Sequence, residues 1–440
     1  MARKRLQEES TLNNKKKLLL AGLGLCVLCV VILSAVIVQS FAIQPPTTIE
    51  LAKLPAGEYD PAVWGRYYPL EYESYKKNLE MAPSPTGFGG SVNEQKSIKE
   101  PEILMNFKGM AFSKDYSEDR GHPYSLEDLM SSERVTPATV GSCMTCKTPY
   151  IKDVFKEKGW EYANLPLSEV IKGAGHPISC ANCHDPATMK LTVANPAFIE
   201  AMQKKGIDVH EASRKEMRSY VCGQCHSEYY FEPKTNRVVF PWDKGYTPEQ
   251  MYAYYEEKPA GFEKDWVHPD SQAKMLKAQH PDFETWAGGV HGKSGVSCAD
   301  CHMPFQRHNG QKYSSHHVTS PMKNIEGSCK TCHTQSADWL LERVKTEQNN
   351  VFELQHTAGL AVSRAHEVIG KASAVATADK AGLDEARELV RKAQWFWDIV
   401  AAENGMGFHN PDQVMNTLGR SIDMAHKAVE MANKASGTHY

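Results

Sequence analysis

The sequence lacks a large net charge of either sign. Its 440 residues carry 50 Lys and Arg against 53 Asp and Glu, which leaves a formal charge of −3. Nucleic-acid binding calls for a clustered basic excess, so this balance gives no indication of a nucleic-acid partner. Hydrophobic residues make up 41% of the chain, so the composition does not indicate disorder. The length suits two or three ordinary domains, or one domain built around something other than side chains.

Long periodic segments are scarce before residue 335, where proline, glycine and short polar runs are frequent. We therefore expect short helices and loops in that region. Proline is absent from residues 336–402, which are rich in Ala, Glu, Lys and Leu. This stretch predicts long helices with breaks at Gly370 and Gly382. A final helix should begin near Asn410 and Pro411, because a capping side chain followed by a first-turn proline suits a helix start.

An uncharged stretch from Leu18 to Val38 follows a basic N-terminal segment. About 20 helical residues at about 1.5 Å each span the hydrocarbon core of a membrane. The basic flank should stay in the cytoplasm, so the rest of the chain is expected to be exported. The stretch is either a retained anchor or a signal peptide cleaved near Ala42, where small residues form a cleavage site.

Ten of the twelve cysteines form five pairs at a single spacing, whereas Cys26 and Cys29 lie in the apolar stretch and are interpreted as thiols without a cofactor. Two thiols three residues apart can add to the two vinyl groups of one haem, and the residue that follows can bind its iron. The pairs are Cys143 and Cys146, Cys180 and Cys183, Cys222 and Cys225, Cys298 and Cys301, and Cys329 and Cys332, followed respectively by Lys147, His184, His226, His302 and His333.

Zinc knuckles, dithiol redox sites and disulfides also use paired cysteines. None of them requires a histidine directly after the second cysteine. Composition alone predicts about 0.01 chance matches to CxxCH, and the chain has four. The sequence therefore predicts a mainly α multihaem c-type cytochrome with five haems, in which short helices and loops surround the haems and long helices follow them. Irregular motif spacing excludes a simple tandem repeat.

The residue after Cys146 is the exception among the five motifs. Lys147 binds iron only as a neutral amine, so its ammonium form must lose a proton beside the metal. A perturbed group of this kind marks a functional site more often than a structural one, although a vestigial haem site is the bland alternative. Electron-carrying haems use two protein ligands, whereas a haem that does chemistry leaves one position open. We therefore expect the haem on Cys143 and Cys146 to be the catalytic one.

With these motifs the chain resembles the ammonia-forming cytochrome c nitrite reductases, which combine one CxxCK haem with four CxxCH haems. The resemblance runs from about Tyr68 to the C-terminus. It is carried by Arg120-Gly121-His122, by residues 225–231, by Lys277-Ala278-Gln279-His280-Pro281, by His291-Gly292, by Gln394-Trp395 and by Phe408-His409.

The resemblance implies six-electron reduction of nitrite to ammonium and assigns residues to each part of the site. The distal iron ligands are His316 for the second haem, His122 for the third, His409 for the fourth and His291 for the fifth, with His317 open as the alternative to His316. The catalytic residues are Arg134, Tyr229 and His280. One calcium ion would be bound by the Glu228 carboxylate, the carbonyls of Tyr229 and Lys277 and the Gln279 side-chain oxygen, which are the hard donors that calcium prefers.

The resemblance also implies an electron donor, a membrane quinol-oxidising multihaem cytochrome, and a homodimer formed through the C-terminal helices. The expected organisation is a signal or anchor segment at residues 1–43, a haem-binding catalytic region at 44–335 and a helical region at 336–440. The catalytic part would lie on the outer face of the cytoplasmic membrane or in the periplasm. A second hypothesis is a cytochrome that only shuttles electrons. Lys147 separates the two hypotheses, because a shuttle has no use for an open iron.

Overall fold

A computed structural model describes residues 20, 22–24, 26–34, 54–55, 57–118 and 120–440. Residues 1–52 and residues 53–440 form two separate compact units. In the first unit, residues 22–24 and 26–34 are helical and exposed. The rest of the predicted anchor at 18–38, and the predicted cleavage site near Ala42, lie outside the described residues. Within the described part of the chain, no helix has both the length and the apolar character needed to cross a membrane.

The described residues of the second unit are mainly helical, as the sequence predicts, with thirteen short helices before three long ones. The short helices are α1 (Pro61–Gly65), α2 (Pro69–Lys76), α3 (Glu102–Asn106), α4 (Ser125–Ser131), α5 (Ile151–Lys158), α6 (Leu167–Val170), α7 (Cys180–Cys183), α8 (Pro196–Lys204), α9 (Arg214–Gly223), α10 (Pro248–Glu256), α11 (Asp282–Gly288), α12 (Val290–Lys293) and α13 (Cys298–His302). Single turns of 3₁₀-helix lie between them, including His122–Tyr124, Gly141–Met144 and Cys329–Thr331.

Strands contribute only three small antiparallel hairpins among the described residues. They are β1 (Tyr230–Phe231) with β2 (Val238–Val239), β3 (Trp266–Val267) with β4 (Lys274–Met275), and β5 (Phe305–His308) with β6 (Gln311–Ser314).

The three long helices are α14 (Ala337–Ser373), α15 (Lys380–Ala401) and α16 (Pro411–Ser436), and they pack against one another. A side chain caps each N-terminus: Ser336 accepts from the Trp339 amide, Asp379 from the Gly382 amide and Asn410 from the Gln413 amide. Such caps satisfy backbone donors that have no partner within the helix. The predicted helix start at Asn410 and Pro411 is therefore confirmed.

The predicted breaks at Gly370 and Gly382 are wrong in position. The chain turns between Ser373 and Lys380, so Gly370 lies within α14 and Gly382 within the first turn of α15. Both glycines allow close packing instead. A Cβ atom at Gly370 would lie 3.2 Å from the Asp270 carbonyl oxygen, and one at Gly382 would lie 3.0 Å from the Ala435 side chain of α16. Their small size brings the helices against their neighbours.

An aromatic core joins the long helices to the loop that follows α3. The Phe107 ring lies 5.6 Å from Trp397 of α15 and 5.8 Å from Trp266 of β3, and Phe112 and Tyr116 pack edge-on at 5.0 Å. Offset and edge-on pairs of this kind add stabilisation to the burial of apolar area. The core fixes residues 107–116 next to the segment that contains Arg134.

Candidate functional site

Two of the five cysteine pairs lie in short capped helical turns. Helix α7 begins at Cys180 and α13 at Cys298, and Ser179 and Ser297 cap these turns reciprocally with Asn182 and Asp300. Residues three apart lie on the same face of a helix, so both thiols of a motif face the same side. Each turn therefore presents two sulfur atoms to one planar group.

A single cavity of about 1570 Å³ is lined by all four CxxCH motifs. Its lining includes both cysteines of each motif and every histidine proposed as an iron ligand of the four bis-histidine haems. These histidines are His122, His184, His226, His291, His302, His316, His333 and His409. The lining therefore supplies the thiols and the imidazoles that four haems require.

The spacing between paired imidazoles provides a geometric test of that fit. Ring centroids lie 6.1 Å apart for His184 and His316, 6.2 Å for His302 and His409, and 6.2 Å for His291 and His333. An imidazole nitrogen binds a metal at about 2 Å and its ring centre lies about 1 Å further away, so two opposed ligands place their centroids about 6 Å apart. The three pairs therefore leave room for an iron atom between them.

Two details refine this geometry. The His226 and His280 rings are also 6.3 Å apart, but His280 is not among the described residues that line the cavity, so ring spacing alone does not identify an iron site. His316 lies at the spacing of an iron site from His184 and also lines the cavity. Its neighbour His317 is not among the described lining residues of the cavity, and the geometry therefore favours His316 over His317.

Burial keeps several of these imidazoles neutral. It lowers the pKa of His184 and of His302 to about 4, and it also lowers the pKa values of His291 and His316. A histidine binds a metal through a neutral ring. The protein therefore prepares these side chains for ligation.

The second ring nitrogen of five of these histidines is fixed by a hydrogen bond. Nδ1 of His184, His302 and His316 donates to backbone carbonyls at 2.9–3.1 Å. Nδ1 of His226 donates to Asp282 at 3.3 Å, and Nδ1 of His409 donates to Glu403. A bonded Nδ1 leaves Nε2 to face the metal, the usual arrangement of a ligating histidine.

Asp282 and Glu403 were not identified from the sequence. Asp282 follows His280 by two residues, and Glu403 precedes His409 by six. For Glu403 the signal is a carboxylate close in sequence to a predicted ligand, whereas Asp282 contacts His226 across 56 residues and no local signal indicates it. Burial opposes a high pKa at His409, but the adjacent Glu403 raises its pKa to about 9.

Contacts between cysteines of different motifs define which motifs are neighbours. The sulfur atom of Cys146 lies beside that of Cys225, and the sulfur atom of Cys222 lies beside that of Cys298. Cys301 interacts electrostatically with Cys329. The lysine motif therefore adjoins the third motif, the third adjoins the fourth, and the fourth adjoins the fifth.

Two of the three predicted catalytic residues, Arg134 and Tyr229, lie beside the lysine motif. Tyr229 interacts electrostatically with Cys143, Cys146 and Arg134, and Cys143 interacts in turn with Lys147 and Arg134. The Gln279 amide, next to His280, donates to the Glu228 carboxylate at 2.5 Å, which brings His280 towards Tyr229. Burial raises the pKa of Tyr229 well above its usual value, so its phenol stays protonated.

Three neighbours hold the Arg134 side chain, although it is 40% exposed. Its Nε donates to Ser132 Oγ at 3.1 Å, and that hydroxyl donates to Asp115 Oδ2 at 2.5 Å. The guanidinium lies over the Phe112 ring, 4.5 Å from its centroid. The sequence did not indicate Ser132, Asp115 or Phe112, because their relation to Arg134 depends on tertiary contact.

The predicted calcium ligands also lie together. Glu228 is fully buried, and its second carboxylate oxygen accepts from Tyr255 at 2.9 Å. The Gln279 side chain contacts the Lys277 carbonyl at 3.3 Å. Glu284 lies alongside, and among the described residues its Oε2 has no hydrogen-bond partner. Unpaired carboxylates are costly in a protein interior, so this buried acidic group fits a bound cation.

The fold and the five motifs define a multihaem c-type cytochrome. The chain belongs to the cytochrome c552 family, whose model matches residues 60–439. This family match, together with the relatives described next, confirms the predicted resemblance and fold class.

The relatives cover most of the chain. It is 38% identical over 430 residues to the cytochrome c nitrite reductase subunit NrfA of Nitratidesulfovibrio vulgaris, covering 89% of this chain and 81% of that protein. It is 39% identical over 386 residues to cytochrome c-552 of Bacteroides thetaiotaomicron, covering 84% and 76%. A solved structure, the catalytic subunit of cytochrome c nitrite reductase from Desulfovibrio desulfuricans, has a TM-score of 0.80 and 36% identity over 86% of both chains. That protein has two calcium sites.

Proposed function

We propose that this protein reduces nitrite to ammonium at the haem of the Cys143–Lys147 motif, fed by four bis-histidine haems. The observation that carries the proposal is Lys147 in the position of a histidine, with Arg134 and Tyr229 beside the cysteines of that motif. Each nitrite consumes six electrons and eight protons and yields one ammonium ion and two water molecules. Bound haem supplies the iron that holds the nitrogen and the electrons that reduce it.

The side chains around the motif supply charge and protons. The Arg134 guanidinium attracts the nitrite anion and donates to its oxygens through a fork of N–H groups. The Tyr229 hydroxyl and a His280 ring N–H donate to the same oxygens, and the resulting polarisation makes each N–O bond easier to break. His280 then delivers protons to the leaving oxygen.

The order of motif contacts supports a route for the electrons. They would pass from the fifth motif through the fourth and third to the lysine motif, in the order given by the cysteine contacts. The proposed ligand pairs are His184 with His316, His226 with His122, His302 with His409, and His333 with His291. Two protein ligands at each iron suit electron transfer without substrate binding.

A calcium ion near the active site is part of the proposal. Glu228, the carbonyls of Tyr229 and Lys277, and Gln279 would hold it, and the ion would neutralise the acidic pair of Glu228 and Glu284. Glu228→Ala should abolish the bound calcium and lower nitrite turnover while five haems remain. Active wild-type protein without calcium in its metal content would contradict the assignment.

A redox partner must supply the electrons, and we assign that role to a membrane quinol-oxidising multihaem cytochrome outside the cytoplasm. The proposed homodimer forms through the C-terminal helices, on which Leu360 of α14 and Met415 of α16 are exposed apolar side chains, at 49% and 36%. Sedimentation of the purified protein as a monomer would contradict the dimer.

The test of the function compares wild type with Lys147→His. Wild-type protein supplied with a reduced dye should convert nitrite to ammonium, and the variant should lose most of that turnover. The spectrum of one haem should change while the other four stay as they are. If neither protein consumes nitrite, and both pass electrons to a second acceptor equally well, the electron-shuttle hypothesis replaces this one.

A further inference from the structure

The proposed iron ligands differ in the charge of the group that accepts from Nδ1. At the second haem both histidines, His184 and His316, donate to neutral backbone carbonyls. At the third haem, on Cys222 and Cys225, His226 donates to the Asp282 carboxylate. At the fourth haem, on Cys298 and Cys301, His409 donates to the Glu403 carboxylate. The contrast lies within one chain and one cavity.

Both carboxylates are held by backbone and side-chain amides of residues 403–407, the turn that follows α15. The Asn404 backbone amide donates to Asp282 Oδ1 at 2.9 Å, and its side-chain amide donates to Oδ2 at 3.0 Å. The Gly407 amide donates to Glu403 at 2.7 Å. The two acids are therefore held rigidly against their histidines.

Asp282, Glu403 and His409 have ligand atoms close enough together to hold a metal ion. The hydrogen bonds described above already occupy those atoms. Each carboxylate is directed at a histidine whose Nε2 faces the haem cavity. The geometry therefore favours a role towards the histidines over a separate metal site.

We propose that Asp282 and Glu403 tune the third and fourth haems by lowering their reduction potentials. A hydrogen bond from Nδ1–H to a carboxylate gives the imidazole partial anionic character and makes Nε2 a stronger donor. A stronger, more negative ligand stabilises ferric iron over ferrous iron. The inference rests on the ligand pairs of the proposed function, with His226 and His409 as iron ligands.

The third and fourth haems lie in series next to the catalytic haem. Their motifs touch through Cys222 and Cys298, and the third motif touches the lysine motif through Cys225 and Cys146. A low potential at these two haems makes electron transfer to the catalytic haem downhill. The last transfer step, from the third haem to the catalytic haem, therefore gains driving force.

The experiment is a potentiometric titration of the holoprotein without nitrite, followed by optical and electron paramagnetic resonance spectra. Asp282→Asn and Glu403→Gln keep the shape of each side chain and remove its charge. Loss of such a partner changes metal affinity by about 10- to 100-fold. A tenfold change in the ferric-to-ferrous preference is a rise of about 59 mV for a one-electron couple.

The expected result is that each variant raises the potential of one haem, and that the two variants affect different haems. Asp282→Glu, which keeps the charge, should largely restore the wild-type potential. Glu100→Gln is the matched control, because Glu100 is a buried carboxylate that accepts from Gln355, and it should leave all five potentials unchanged.

Two outcomes would overturn the inference: potentials unchanged in both charge-removing variants, or an equal shift of every haem. If a variant loses haem, Asn404→Ala serves instead, since it loosens Asp282 without removing its charge. This variant should raise the reduction potential of the third haem alone. The test is independent of substrate. Shifted potentials in a protein that does not reduce nitrite would refute the proposed function and leave this inference standing.

Discussion

Replacing Lys277 with methionine should lower the free energy of unfolding by about 3–5 kcal/mol, the usual cost of breaking a buried ion pair. Lys277 Nζ lies 2.9 Å from Asp398 Oδ1, and the two side chains are 1% and 0% exposed. Methionine keeps most of the volume but leaves the Asp398 carboxylate buried without its cation. It also removes the contact of the ammonium with the rings of Phe112 and Tyr116, each 4.8 Å away.

The same chain provides a matched control three residues earlier. Lys274 pairs with Glu263 at 2.6 Å, but these side chains are 49% and 37% exposed. Because solvent screens such a pair, Lys274→Met should cost only about 0–1 kcal/mol. Denaturant unfolding of both holoprotein variants, followed by far-ultraviolet circular dichroism, compares the two values.

The ion pair also affects function, because Asp398 accepts from the Ala278 amide at 2.7 Å and so fixes the segment that leads to His280. Lys277→Met should therefore also weaken nitrite turnover. Combining it with Asp398→Asn should recover part of the lost stability, since the uncompensated charge is then removed. A cost for Lys277→Met no larger than that for Lys274→Met would refute the reasoning.

Three further predictions concern the site and the core. His280→Ala should keep five haems while nitrite turnover falls by about 10²–10⁴-fold, the usual cost of losing a positioned proton donor. His308 is exposed, so His308→Ala should change neither the haem content nor the turnover. Full activity in His280→Ala would mean that the active site lies elsewhere. Ser132→Ala should raise KM for nitrite by about tenfold with a smaller effect on kcat, because it removes one charge-assisted hydrogen bond to Arg134. The Ser131 hydroxyl contacts the Asp128 carbonyl instead, so Ser131→Ala should match wild type. Equal KM values in both variants would contradict the role of Ser132. Burial lowers the pKa of His366 to about 3 from 6.5. Below pH 6.5 the unfolded chain therefore binds a proton that the folded chain does not, and the free energy of unfolding should fall as pH drops from 6.5 towards 3. His366→Gln should reduce that slope by up to about 1.4 kcal/mol per pH unit, and a slope between pH 7 and pH 4 equal to that of wild type would contradict this prediction.

Much of the architecture follows from local patterns. The cysteine spacing indicates haem attachment because the chemistry is confined to five consecutive residues. The start of α16 was predictable because Asn410 and Pro411 act on their own helix. The break between α14 and α15 was misplaced for the opposite reason. Gly370 and Gly382 serve contacts with Asp270 and Ala435 that are remote in sequence.

The groups that hold the site in place depend on distant parts of the chain. Asp282 meets His226 across 56 residues, and Lys277 meets Asp398 across 121 residues. Neither pairing has a periodicity or a motif that would indicate it. Buried polar partners of this kind are set by the packing of elements, so a pattern along the chain identifies the ligands but not the residues that orient them.

Nitrite reduction by this chain is tested most directly by mixing fully reduced protein and a measured amount of reduced dye with excess ¹⁵N-labelled nitrite in the absence of any other electron acceptor, since the five haems alone hold only five of the six electrons. We expect the dye and all haems to reoxidise and ¹⁵N-ammonium to form, with six electrons consumed for each ammonium ion. Reduced haems that persist after nitrite is added, or nitric oxide as the sole labelled product, would contradict it.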